Sequence, residues 1–95
     1  MTSDQDPLRP DQAEQDTQRV AANVRAELAR KGMSVVDLAE ELGVRYDILR
    51  RRTAGTVPFR VQELIEIGRC IGVYPSAFFN GITLGTTPAT PATPE

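Results

Sequence analysis

Apolar residues in this chain fall into short periodic groups punctuated by glycines. Val20, Ala21, Val24 and Leu28 recur at three- and four-residue spacing. They predict a helix from Thr17 or Gln18 to Lys31, stopped by Gly32 with Arg30 and Lys31 favouring its last turn. Ser34 can cap a second helix by accepting from the amide of Asp37, whose charge suits a helix start. That helix turns Val35 or Val36, Leu38, Ala39 and Leu42 inward, and Gly43 supplies the positive φ of a turn. A third helix is expected from Tyr46 to about Thr53, with Val44, Ile48 and Leu49 inward and Gly55 as its end. Pro58 then forces the residue before it into an extended or turn conformation. The fourth helix is expected from Arg60 to Cys70, burying Val61, Leu64, Ile65, Ile67 and Ile71 and stopping at Gly72. Tyr74-Pro75 opens a short fifth helix carrying Phe78 and Phe79. Asn80-Gly81 reads as a turn, and Ile82-Thr83-Leu84 as a short strand or an ordered tail. The expected fold is all-α, a five-helix domain.

The ends do not share this periodicity. Residues 1–16 hold Asp4, Asp6, Asp11, Glu14 and Asp16 against Arg9, with no run of large apolar residues. Residues 85–95 are Thr, Ala and Pro with a lone Gly and Glu, a composition that buries nothing. Disordered arms are expected at 1–16 and 85–95, around a domain at 17–84 that is small but able to fold alone. Charge divides the same way. The whole chain carries −2, whereas residues 17–84 hold ten basic against seven acidic side chains, a net of +3. Four of the ten, Arg45, Arg50, Arg51 and Arg52, lie within eight residues, and this clustering is what suggests a polyanionic partner.

Other chemistry is sparse. Cys70 is the single cysteine and histidine is absent, which argues against a disulfide framework, a metal centre and the commonest general base. No apolar stretch approaches the roughly 20 residues that span a bilayer, and the N-terminus lacks a signal peptide's apolar region. The expectation is a non-enzymatic, cytoplasmic, nucleoid-associated protein without cofactor, metal, membrane partner or small-molecule ligand.

A short capped helix, a glycine turn and a second short helix dense in arginine form the pattern of a helix-turn-helix, whose second helix enters the DNA major groove. The text from Leu28 to Phe79 resembles the Cro/repressor (Xre-type, lambda-repressor-like) family of phage and bacterial regulators. The matching residues are Arg30-Lys31-Gly32-Met33-Ser34, Leu38-Ala39-Glu40-Glu41-Leu42-Gly43-Val44, Leu49, Gly55, Pro58, Glu63-Leu64, Ile71-Gly72-Val73 and Phe78-Phe79. It is similar in particular to actinobacterial and phage variants in which Leu-x-Arg-Arg precedes the glycine and Pro-Phe follows it. Two positions depart from the family pattern. An Arg–Glu pair common in the family is replaced at both ends, by Leu28 and Thr53, so no buried charge is orphaned. Arg52 stands where an apolar residue is common, so its guanidinium must reach the surface or a phosphate.

By matching position, the resemblance implies base contacts from Arg45, Tyr46, Asp47, Arg50 and Arg51. Arginine offers a bidentate fork to guanine; Asp47 can accept from cytosine, orient a neighbouring arginine or simply favour the helix dipole. Ser34, Arg52, Thr56 and Arg60 are the expected phosphate contacts. Phe78, Phe79, Ile82 and Leu84 form an apolar surplus that either closes the core or serves as a dimer surface. The implied function is a sequence-specific transcriptional regulator, a phage repressor or Cro-like protein bound to double-stranded operator DNA as a homodimer. The alternatives are a protein-interaction module, such as an antitoxin or a factor binding another regulator or polymerase, and a recombination accessory DNA-binding protein.

Overall fold

The computed structural model describes residues 10–82, and their regular structure is all helical. Four α-helices follow in order: α1 (Pro10–Arg30), α2 (Val35–Leu42), α3 (Tyr46–Thr53) and α4 (Val61–Ile71); a 3₁₀ helix, Pro75–Phe79, comes last. No strand occurs among the described residues.

Helix α1 starts at Pro10, ahead of the Thr17 or Gln18 expected from the apolar pattern, so residues 10–16 belong to the helix and not to an arm. The reason is local. Proline is well placed in a first turn, where its missing amide is not needed, and Asp11 meets the positive end of the helix. Gln12 Nε2 donates to Asp16 Oδ1 one turn on, at 3.1 Å. A solvated turn needs no apolar residue, so periodicity could not reveal it. Residues 1–9 and the expected tail at 85–95 lie outside the described residues.

The fifth helix is a 3₁₀ turn, which corrects the expected count to four α-helices and one 3₁₀ helix. Its bonds span three residues, the Ala77 amide donating to the Tyr74 carbonyl at 2.9 Å and the Asn80 amide to the Ala77 carbonyl at 3.4 Å, and the chain leaves extended at Asn80 (φ −60°, ψ 134°). This exit is held from α1, where Asn23 Nδ2 donates to the carbonyls of Phe78 at 2.9 Å and Asn80 at 2.8 Å.

The core gathers Val24 and Leu28 from α1, Leu38 and Ala39 from α2, Leu49 from α3, Leu64, Ile67 and Ile71 from α4, and Phe78. Helix α1 packs on α3 and the 3₁₀ helix, while α2 packs on α3 and α4. Two assignments on α4 are corrected. Val61 is 71% exposed, and Ile65 is half-buried beside an outward hollow. The helix is apolar on more than one face, and the buried face is the one carrying Leu64, Ile67, Gly68 and Ile71. Val44, expected inward, is likewise exposed beside the turn. Phe78 is fully buried, which removes it from any docking surface.

Candidate nucleic-acid interface

Two eight-residue helices joined by Gly43, Val44 and Arg45 carry the candidate residues. The first is fixed at both ends. Ser34 Oγ accepts from the Asp37 amide at 3.0 Å, and Asp37 Oδ2 accepts from the Ser34 amide at 3.1 Å, a reciprocal cap. At the other end Gly43 adopts φ 70°, a left-handed value that lets its amide and that of Val44 turn back onto α2. Ser34, expected at a phosphate, has its amide engaged by the Asp37 carboxylate, while its hydroxyl accepts from the Asp37 amide and keeps its own proton to donate. The Asp37 carboxylate already supplies the negative charge that a helix start attracts.

Helix α3 divides its residues cleanly. Leu49 and Thr53 are buried, and Ile48 and Arg52 are half-buried. Tyr46, Arg50 and Arg51 are exposed and, with the half-buried Asp47, recur at the spacing of one helical face opposite the core. Arg45 stands at the N-terminal edge of that face, and its Nη2 donates to Asp47 Oδ2 at 3.0 Å. Of the three roles open to Asp47 in the sequence, this geometry favours orienting Arg45. All five expected base-contacting residues thus lie together on one solvent-facing surface.

The expected phosphate contacts do not stay together. Arg52 is folded back, its side chain only 14% exposed, and its Nε donates to Glu63 Oε1 at 2.8 Å. The same Glu63 oxygen accepts from the Arg60 amide at 2.7 Å, closing the start of α4. Arg52 is therefore a strut between α3 and α4, with its charge answered inside the protein. Thr56 and the Arg60 side chain remain exposed in the loop and at the start of α4.

Three polar clasps from α1 fix the interface from behind, and the apolar pattern carried no sign of them. Arg25 Nη1 donates to the Thr53 carbonyl at 2.6 Å, satisfying the C-terminal end of α3. Gln18 Nε2 donates to the Gly55 carbonyl at 2.9 Å, where Gly55 sits at φ 84° and the Gln18 amide packs against its α-carbon. Asn23 is the third, described above. The departure noted at Leu28 and Thr53 is thereby resolved: both are buried, and an arginine one turn earlier reaches Thr53 through its backbone.

Beside the turn a cleft of about 240 Å³ has an apolar floor of Leu42, Val44, Ile48 and Ile67 under a rim that includes Arg60 and Glu66. Desolvation, with Glu41 nearby, pushes the half-buried Cys70 thiol above its ordinary range, so it is protonated at neutral pH. Among the described residues no group of His, Cys, Asp and Glu can hold a metal ion, and no helix is long and apolar enough to cross a membrane. Comparisons with protein-family models, with curated proteins and with solved structures gave no match.

Proposed function

We propose that the chain is a sequence-specific DNA-binding regulator of the helix-turn-helix, Cro/repressor type, with α3 as its recognition helix. One observation carries this reading: Arg45, Tyr46, Arg50 and Arg51 converge on a solvent-facing surface whose opposite side is committed to the core. Solvated arginines need no explanation one at a time. Their concentration on the second of two short helices, behind a tight glycine turn, matches the shape and charge that a major groove accepts. Arg45, held by Asp47, enters with fewer conformations to lose, which favours a bidentate contact with guanine. Arg50 and Arg51 supply further base contacts, and Thr56 and Arg60 meet the backbone. The Cro/repressor assignment itself rests on the sequence resemblance.

A competing reading, a protein-interaction module, draws on the apolar cleft floored by Leu42, Val44 and Ile48 beside the same turn. Selection from a random duplex pool, followed by titration of the winning and scrambled duplexes at several salt concentrations, separates the two. The DNA reading expects an enriched motif and an affinity that falls steeply with salt on both duplexes. No enrichment together with no salt-dependent binding would defeat it.

A further inference from the structure

The chain has two asparagines, and they sit in opposite chemical settings. Asn23 lies inside α1 and is followed by Val24, a β-branched residue. Asn80 ends the 3₁₀ helix and is followed by Gly81, in an exposed turn. Gly81 stands at φ 84° and has no side chain to shield its nitrogen. Among the described residues, neither the Gly81 amide nor the Asn80 side-chain amide has a hydrogen-bond partner. An asparagine before an unhindered backbone nitrogen is the arrangement in which a side-chain amide is most readily lost.

The backbone at Asn80 is set against that loss. Ring closure needs the Gly81 nitrogen to swing round the Cα–C bond until it eclipses the Asn80 β-carbon. At ψ 134° it lies well away from that position. Turning the peptide plane also moves the Asn80 carbonyl, which accepts from Asn23 Nδ2 at 2.8 Å. The same nitrogen holds the Phe78 carbonyl at 2.9 Å, so both of its protons are committed to this segment. While the clasp is closed, the plane cannot turn freely.

We infer that Asn80–Gly81 is a site of spontaneous covalent modification, with Asn23 as its latch. When the clasp opens, solvent base takes the Gly81 amide proton and the nitrogen attacks Asn80 Cγ. A C–N bond forms, the bond from Cγ to the side-chain nitrogen breaks, and that nitrogen leaves as ammonia. The product is a cyclic imide, which water then opens at either carbonyl. Cleaving the Cγ–N bond gives aspartate with the backbone unchanged. Cleaving the backbone C–N bond gives isoaspartate, whose chain runs through the β-carbon. Water is the only co-reactant. Either product places a carboxylate at position 80, close to the Arg19 side chain that lies against Gly81. Isoaspartate also inserts a methylene between the two carbonyls that Asn23 holds, so the latch cannot reclose on its former geometry. The modification rests on the turn and its clasp alone and is independent of the DNA reading.

The test incubates the full chain under native conditions and, in parallel, unfolded in guanidinium, with intact-mass and fragment-mass spectra read over weeks. Labelling by an isoaspartate methyltransferase counts the β-linked product. The expected result is exchange of NH₂ for OH at Asn80, absent from Asn80→Gln, with Asn23 unchanged. The native chain should react on the order of 10-fold more slowly than the unfolded one. Asn23→Ala should recover most of that difference, and so should Asn23→Asp, which cannot donate to a carbonyl. Thermal melts verify that both variants are folded at the incubation temperature, and the comparison of native with unfolded chain needs no variant. A native chain that keeps Asn80 intact while the unfolded chain loses it overturns the site, as does exchange that survives Asn80→Gln. Equal rates in the native and unfolded chains, or folded Asn23 variants that react no faster than the wild type, overturn the latch.

Discussion

Replacing Gly68 by alanine should destabilise this domain, against the usual sign for a glycine inside a helix. Alanine normally gains about 0.5–1 kcal/mol there by restricting the unfolded chain. Gly68 is buried, and a β-carbon on it would lie 2.6 Å from the Val73 carbonyl oxygen and 3.1 and 3.3 Å from two carbons of the Pro75 ring. The carbonyl cannot simply withdraw, because the Val73 amide donates to the Gly68 carbonyl at 2.9 Å and closes the end of α4. Relieving the overlap means lifting the 73–75 segment, which leads directly into the 3₁₀ helix that buries Phe78. Overpacking of this kind costs about 1–3 kcal/mol, and a weakened buried hydrogen bond about 1 kcal/mol more. After the propensity gain, a net loss of about 1–3 kcal/mol remains, or a drop in Tm of about 5–20 °C for a domain this size. Far-ultraviolet circular dichroism during thermal and urea unfolding reads both quantities. A Gly68→Ala protein that melts at or above the wild-type temperature would refute the close approach of the 73–75 segment to α4.

Four further outcomes follow from the interface and the core. Arg50→Ala or Arg51→Ala should cost about 1–3 kcal/mol on the selected duplex and less on a scrambled one, read by fluorescence anisotropy; equal losses would make that arginine a phosphate contact. Arg52→Ala should instead lower stability by about 1–2 kcal/mol in urea unfolding, since it leaves Glu63 with one donor fewer in a partly buried site; an unchanged midpoint would remove its bracing role. Glu14 lines a shallow hollow shared with Thr56, so Glu14→Gln should tighten duplex binding about two- to five-fold at low salt and not at high salt; tightening that survives high salt would exclude electrostatic repulsion as its cause. Phe78→Ala should cost about 3–5 kcal/mol in the same unfolding assay whereas Phe79→Ser costs little, and similar losses at both would contradict the burial difference between them.

The elements that bury apolar side chains at helical spacing were legible from residue identities alone. Gly43 and Gly72 fell where the chain turns left-handed, and the Ser34–Asp37 cap could be read from two letters. What escaped was of two kinds. The first turns of α1 are almost wholly polar, and a helix start held by Pro10, the dipole and a Gln12–Asp16 bond leaves no apolar trace. The polar clasps of Gln18, Asn23 and Arg25 join residues 28 to 57 positions apart, and nothing local distinguishes them from solvated side chains. The same limit explains Arg52, whose neighbours Arg50 and Arg51 are identical in type, while only the fold brings Glu63 to one of the three. On α4 the error was one of phase: apolar residues on two faces admit two choices of inside, and Phe78 and Leu64 settle it by packing. Of the dimer surface expected at Phe78, Phe79, Ile82 and Leu84, Phe78 is core, Phe79 is exposed and Ile82 is half-buried; Leu84 lies outside the described residues.

The division of labour within α3 bears on how such a chain could change over generations. Leu49 and Thr53 are the buried positions among the helix's eight, and Arg52 is tied to Glu63, so the outward positions answer to almost nothing within the molecule. Substitutions at Tyr46, Arg50 and Arg51 should behave as surface changes, typically within about 0.5 kcal/mol of neutral for folding. Under the proposed DNA-binding function, a lineage carrying this domain would rewrite what it recognises one letter at a time while its melting temperature barely moves. A saturation library at those three positions, sorted separately for folding and for duplex preference, would show nearly flat tolerance in the first screen and many distinct optima in the second.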